Sequence, residues 1–334
     1  MSAGLVRPIV GFAALAAAIV VAPLLVSDFR AQQLAYVGIY VVALLGLNIL
    51  TGYTGQISLG HGAFMAIGGY TTAILMQDAG IRDVATIPLA GLVAGLAGFL
   101  FGLPALRLTG LYLSLATFSI ALAVPAIVKK WESLTGGTSG ILLFGKDELT
   151  ASLQPVSILG LELNFNNWLY ALSWTIAFVL YVAAWLALRG RTGRSFRAVR
   201  DSEIAAVMSG ISLARTKTLA FALSSFYAGV AGALFAIAST SVGPTTYPVT
   251  LSIFLVVGVV VSGLGSLGGV IAGGVLIQFL PIWAQEISKS PGAPGVVYGV
   301  VVMLVVLLLP GGVSGLVARL AGLARRLTES AGNP

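Results

Sequence analysis

Cysteine is absent from the 334 residues, histidine occurs once, and only 9% of residues are charged. The first absence excludes a disulfide framework, a thiolate nucleophile and a cysteine metal site, and a lone His61 cannot by itself supply the usual zinc ligand set. The scarcity of charge, against about 25% in soluble domains, excludes an ordinary soluble globular chain. Alternating apolar and polar residues, which a membrane β-barrel requires, are missing as well; the apolar runs are continuous. No Asp or Glu falls in the middle of an apolar run. That argues against a proton- or sodium-driven carrier, which normally needs an intramembrane carboxylate. It also leaves His61 without an ionisable partner for a catalytic pair, so a membrane enzyme is disfavoured.

What is present is hydrocarbon: 58% of residues are hydrophobic and the mean hydropathy is +1.01. The composition predicts an all-α integral membrane protein, a polytopic helical bundle. About ten apolar segments are expected, at 8–26, 33–50, 56–77, 86–105, 109–128, 167–188, 218–239, 249–263, 267–286 and 294–310. The first follows Arg7 and ends PLLVSDF without a small-x-small cleavage site, so it is expected to be a retained span. An even count puts both termini on one side. With the termini cytoplasmic, twelve of the 18 Lys and Arg residues lie inside, leaving Arg30, Arg82, Lys129, Lys130, Lys146 and Lys289 outside, as the positive-inside rule requires. The chain reads as one transmembrane domain, 1–334, with a long external connection at 129–166 and a basic cytoplasmic one at 189–217. Neither is large enough for a soluble domain, so any ATPase, receptor or catalytic domain is expected on another chain.

After the second segment comes GYTGQISLGHGAFMAIGGY, Gly52 to Tyr70. So much glycine in a lipid-facing helix would be costly, but glycine lets helices approach closely and lets a helix break where it lines a cavity. A second glycine-rich stretch, GLGSLGGVIAGG at 263–274, interrupts the other half of the chain and repeats the string S-L-G. Paired interruptions in two halves point to a transporter's substrate path and an internal repeat, parallel or inverted. Two readings stand: a path lined by freed backbone, or two tight packing seams. Candidate path residues are Asn48, Gln56, Ser58, Gly60, His61 and Gly62 in the first half and Gly265, Ser266 and Gly268 in the second. Asn48 and Gln56 flank a short turn, and Ser58 and His61, three apart, can share a helix face.

The stretch 189–217 carries Arg194, Arg197 and Arg200 followed by DSEIAAVMSG. Asp201 suits a helix cap, Glu203 its first turn, Ala205 and Ala206 its interior and Gly210 its end. One short cytoplasmic helix is expected, with arginines suited to anionic lipid or a partner's acids. Two nucleotide signatures are accidental. GLGSLG at 263–268 lies between bilayer-length runs and not in a strand–turn–helix unit, and GILLFGKD at 140–147 has Asp147 where a P-loop needs Ser or Thr.

The chain resembles the inner-membrane permeases of bacterial branched-chain amino acid ABC importers, the Liv type, and is most similar to the LivM-like member of the permease pair. The resemblance rests on LNILTGYTGQISLGHGAFMAIGGYTTAIL at 47–75, LRLTGLYLSLATFSIA at 106–121, LTGGTSGI at 134–141, GRSFRAVRDSEIAAVMSGISLARTKTLAFALSSFYAGVAGALFA at 193–236 and GLGSLGGVIAG at 263–273. It implies a multi-pass protein of the bacterial cytoplasmic membrane that is not itself an enzyme. The implied partners are a LivH-like second permease, two LivG/LivF-like ATPases and an external solute-binding protein, with membrane lipid around them and no nucleic acid. ATP and Mg are used by the ATPases, and no cofactor is implied for this chain. Ala205, Ala206 and Gly210 match the ATPase-coupling motif of such permeases, whereas Glu203 is separated from Ala205 by Ile204, where the motif has the two adjacent. The implied substrate is a branched-chain or related amino acid, with urea, amides or small aromatic acids as alternatives on the same scaffold. A channel or carrier acting alone is the alternative from another class. Trp131 and Glu132, in the only long external connection, are the candidate contacts for the solute-binding protein.

Overall fold

The computed structural model describes residues 27–108, 110–143, 164–287, 293–308, 311–317 and 319. The expected first span at 8–26 lies outside the described residues. Helices run as α1 (Asp28–Leu47), continued by a π-helical Asn48–Tyr53, then α2 (His61–Ala79), α3 (Asp83–Ala105), α4 (Leu111–Lys130) and the single turn α5 (Glu132–Thr135). Strand β1 (Ile141–Leu142) precedes α6 (Phe165–Arg189), α7 (Arg191–Asp201), α8 (Glu203–Met208) and α9 (Leu213–Ser239). Strand β2 (Ser241–Val242), α10 (Val249–Ser262), α11 (Val270–Ile287) and α12 (Ala293–Leu308) complete the described chain.

Among the described residues, five helices are long and apolar enough to cross a membrane: Asp28–Tyr53, α3, α4, α6 and α9. Several expected segments hold helices shorter than a full crossing or than their apolar runs. The helix within 56–77 starts only at His61. In 249–263 the helix has 14 residues, which rise ~21 Å against a hydrocarbon core of ~30 Å.

The bundle has two distinguishable ends. Asn164, just before α6, donates from Nδ2 to Asp28 Oδ2 at 3.0 Å, so α1 and α6 begin together. β1 pairs antiparallel with β2, Ile141 opposite Val242 and Leu142 opposite Ser241, which ties the connection after α4 to the finish of α9. This is the strand end. α6 leads away from it and α9 returns to it, so the arginine-rich α7 and α8 occupy the opposite, basic end.

α9 is the centre, buried along most of its length and packed on α1, α2 and α3. Hydrocarbon gives little drive for apolar helices to associate, so close approach of backbones has to supply the contact. Small residues provide it. Gly91, Gly95, Gly98 and Gly102 form a stripe on α3 facing Thr218, Ser225 and Phe226 of α9. α2 crosses α9 where Gly68 meets Gly229, and a methyl group on Gly232 would overlap the Met65 carbonyl. Polar tips tie the remaining helices to backbone carbonyls: Trp174 Nε1 donates to Leu34 O and Tyr227 Oη to Leu180 O, each at 2.9 Å.

Replacing Gly232 with Leu should therefore force α2 and α9 apart. Overpacking costs about 1–3 kcal/mol and more against rigid backbone, so the variant should lose its monodisperse detergent-solubilised fraction and melt earlier. Gly299→Ala on α12, where an added methyl meets nothing within 4 Å, should match the parent chain in the same assay.

Candidate translocation seam and basic-end helices

The first glycine-rich stretch is a true interruption. Gly55 has φ +72°, a left-handed conformation that side chains disfavour, and there the chain leaves the π-helical segment. Gly55–Gly60 then runs without helix until α2 starts at His61. Ser58 therefore precedes α2 and shares no helix face with His61.

Non-helical backbone inside a bundle must find partners or water. Here it finds side chains. Ser114 Oγ of α4 donates to Ile57 O at 3.1 Å, Thr117 Oγ1 accepts from Leu59 N–H at 3.0 Å, and Ser252 Oγ of α10 accepts from Gly62 N–H at 2.9 Å. Ser58 Oγ accepts from Gly60 N–H at 3.3 Å, and Gln56 Nε2 donates to Thr54 Oγ1 at 3.1 Å. His61 Nε2 lies 2.9 Å from Ala43 O, the geometry of an Nε2–H donor. Asn48, Gln56, Ser58 and His61 are all buried.

The second interruption touches the first. Asn48 Nδ2 donates to Ser266 O at 2.8 Å while its Oδ1 accepts from Gly265 N–H at 2.9 Å. One amide thus clamps a loop more than 200 positions away in the chain. Gly52 lies directly against Gly265. Gly268 stands apart, exposed, with nothing within 4 Å of the position its side chain would take.

Toward the strand end, immediately past this seam, α2 and α4 diverge around a cavity of about 680 Å³. Its walls are Ala66, Ile67, Tyr70 and Ile74 of α2 and Ile120, Ala123, Val124 and Ile127 of α4, with Trp131 and Leu134 at the strand end. Tyr70 Oη is buried with no hydrogen-bond partner among the described residues. Trp131 is 57% exposed, and Glu132 opens α5 beside it.

At the basic end there are two helices where one was expected. α7 is amphipathic: Phe196 and Val199 are buried, while Arg194, Arg197 and Arg200 are exposed. Asp201 closes α7, and the cap of α8 is Ser202, whose Oγ accepts from Ala205 N–H at 3.2 Å. The cap lies one residue beyond Asp201 because that carboxylate pairs with Arg200 Nε at 3.1 Å. Gly210 ends α8 at φ +78°, and the next N–H, from Ile211, returns to Ala206 O at 2.9 Å. Ala206 is buried, and the exposed apolar face belongs to Ile204, Val207 and Met208. Glu203 reaches Lys217 Nζ at 2.7 Å, with the Lys217 side chain only 6% exposed. A polar cavity of about 270 Å³ lies among Thr54, Gln56, Arg200, Asp201, Glu203 and Lys217.

Sequence reasoning passed over Ser114, Thr117 and Ser252, although each is a hydroxyl in an apolar run, which is the available signal. It also missed Tyr70, Lys217 and the exposed Ile204, Val207 and Met208.

A multi-pass helical bundle with two interruptions clamped together, an apolar cavity beside them and amphipathic helices at one end is the architecture of a membrane permease. The chain belongs to the family described as "Branched-chain amino acid transport system / permease component", which matches residues 29–309. It is 34% identical over 278 residues to the "High-affinity branched-chain amino acid transport system permease protein LivM" of Salmonella typhimurium and equally to that of Escherichia coli; in each case the alignment covers 76% of this chain and 63% of the relative. The chain thus spans less than two thirds of those relatives' own length. A "Probable branched-chain amino acid transport permease protein LivH" of Methanocaldococcus jannaschii is 23% identical over 295 residues, covering 84% of this chain and 90% of the relative. No solved structure gives a significant match.

Removing the Asn48 amide leaves the Gly265 N–H and the Ser266 carbonyl without their partner, a cost of about 1–3 kcal/mol. Asn48→Ala should accordingly speed amide hydrogen exchange over residues 263–269 with little change over α3. Unchanged exchange would mean that the loop is held by its own packing.

Proposed function

We propose that this chain is the permease subunit of an ABC importer that moves branched-chain amino acids inward, driven by ATP hydrolysis on separate subunits. The observation that carries the reading is the apolar cavity against a sealed seam. A branched aliphatic side chain suits walls of Ile, Val, Ala and Phe, whereas urea has no apolar group to use them. The hydroxyls of Tyr70, Thr71 and Ser119 supply the few polar contacts that orientation needs. Among the described residues the only buried carboxylate is Asp83, at the first turn of α3, which favours an external energy source over an ion-driven carrier.

On this reading the membrane is the bacterial inner membrane, the basic end is cytoplasmic, and both termini lie on that side. Ile204, Val207 and Met208 then meet an ATPase that uses ATP and Mg, alongside Ala205 and Gly210, while Arg194 and Arg197 face lipid phosphates or acids of that partner. Trp131 and Glu132 meet the solute-binding protein at the strand end. A second, LivH-like permease completes the pathway along Asn48, Gln56, Ser58, Gly60, His61, Gly62, Gly265 and Ser266, which open when the seam parts, with Gly268 already exposed beside it.

Ala123→Trp should fill the cavity. In liposomes containing the assembled importer and its receptor, leucine uptake should fall at least about tenfold, the effect of ~1.4 kcal/mol on the rate. Ala126→Trp, on an exposed face of α4, should transport normally. Normal uptake by the Ala123 variant would remove the cavity from the path.

The two ends can be separated in the same preparation. Met208→Asp should release ATPase on purification, and Trp131→Ala combined with Glu132→Ala should weaken stimulation of hydrolysis by liganded receptor. Full ATPase retention in the first, or undiminished stimulation in the second, would withdraw the corresponding contact.

A further inference from the structure

We propose that Arg200 is a positioning residue that pins the basic-end helix α7 to the crossing of the two glycine-rich interruptions, so that withdrawing α7 unlocks the seam. The proposal rests on the permease reading above.

Arg200 sits in the last turn of α7 and points into the bundle. Its Nη1 donates to Gly52 O at 3.0 Å, within the π-helical segment that ends α1. Carbonyls at the end of a helix lack partners and carry the negative end of its dipole, so a guanidinium there is favoured twice. The slot it occupies is made by glycines from both interruptions. A side chain on Gly55 would begin 3.1 Å from Arg200 Cγ, and one on Gly265 would begin 3.3 Å from Nη1. Gly52 itself packs against Gly265. Two interruptions and one cytoplasmic arginine therefore meet at a single point, with Asn48 clamping the loops beside it.

The fork is fixed at its other edge. Nε pairs with Asp201 Oδ1 at 3.1 Å, so the guanidinium bridges a carboxylate of its own helix and a carbonyl of the seam. Charge-assisted hydrogen bonds of this kind are stronger than neutral ones. The Arg200 side chain is nonetheless 38% exposed, facing the polar cavity, where water can replace the carbonyl when the bond breaks. A wholly buried pair would resist release, and a wholly exposed one would hold little.

The neighbouring contact sets the direction of pull. Ser202, extended at φ −162° and ψ 115°, joins α7 to α8, and one residue further Glu203 is held by the buried Lys217 of α9. The junction is thus anchored on one side to the seam and on the other to the central helix. A partner displacing the exposed face of α8 loads the Arg200 bond.

The chain's lack of cysteine makes a single reporter possible. Ser58→Cys places a thiol in the seam, 1% exposed in the parent residue, and Ser239→Cys places one at the strand end. Both are probed in the full-length chain in membranes with an impermeant maleimide. Arg200→Ala should speed labelling at position 58 by about ten- to hundredfold, the shift expected from losing a charge-assisted hydrogen bond, and leave position 239 unchanged. Arg200→Lys, which keeps a donor for Gly52 O but not the fork, should give a smaller rise. An unchanged rate at 58, or an equal rise at both positions, would overturn the pin. In the assembled importer, Arg200→Ala should lower solute moved per ATP hydrolysed; wild-type coupling would likewise overturn it. Failure of the parent complex to import any amino acid would instead overturn the permease reading, since the labelling result does not depend on transport.

Discussion

Six residues of non-helical backbone, Gly55–Gly60, are held inside a bundle of apolar helices, and much else in the structure answers to that constraint. Hydrocarbon supplies no hydrogen bonds, so each exposed peptide group there costs several kcal/mol. The bundle provides protein partners at the points of need: Ser114 and Thr117 on α4 and Ser252 on α10 take up the backbone at Ile57, Leu59 and Gly62. These hydroxyls oblige α4 and α10 to approach the interruption. Glycine at positions 60 and 62 allows it, since a side chain at either would begin 2.7 Å from Thr117 O or Ser252 Oγ. A seam built this way is closed by small, individually weak bonds that can be exchanged one at a time.

The bundle was legible because composition and run length decide it: hydrocarbon-compatible helices have few alternatives. The interruption was legible too, because glycine at 52, 55, 60 and 62 next to Gln56 has no purpose in a lipid-facing helix. What the interruption touches was not legible. Asn48 and Gly265 are brought together by tertiary packing alone, and no spacing rule relates positions that far apart. The reading of Asp201 as a cap missed by one residue because Asp201 and Ser202 both suit that place, and Arg200 takes the carboxylate. α10 and α11 read as two apolar runs, yet run length cannot distinguish a 14-residue helix followed by a glycine turn from a full crossing. The apolar cavity was invisible because its walls are ordinary aliphatic residues, identical in type to those that merely pack.

Glycine serves three different purposes along this chain. At Gly55 and Gly210 it permits a left-handed backbone that ends a helix. On α3 and at the α2–α9 crossing it removes bulk so that helices touch. Around Arg200 it leaves room for a side chain from elsewhere. Only the last use brings a charged group to the seam, and composition alone does not separate the three.

α9 carries one further consequence. Its first turns hold Lys217 against Glu203, and its last residue leads into β2, which pairs with β1. A single helix of 27 residues, ~40 Å long, is therefore fastened to peripheral elements at both ends of the bundle. Free-energy linkage across such a strut is reciprocal: if a ligand at one end shifts the helix and so changes affinity at the other, the other end's ligand changes the first affinity by the same factor. On the permease reading proposed above, occupancy at the strand end and occupancy at the basic end become two readings of one equilibrium.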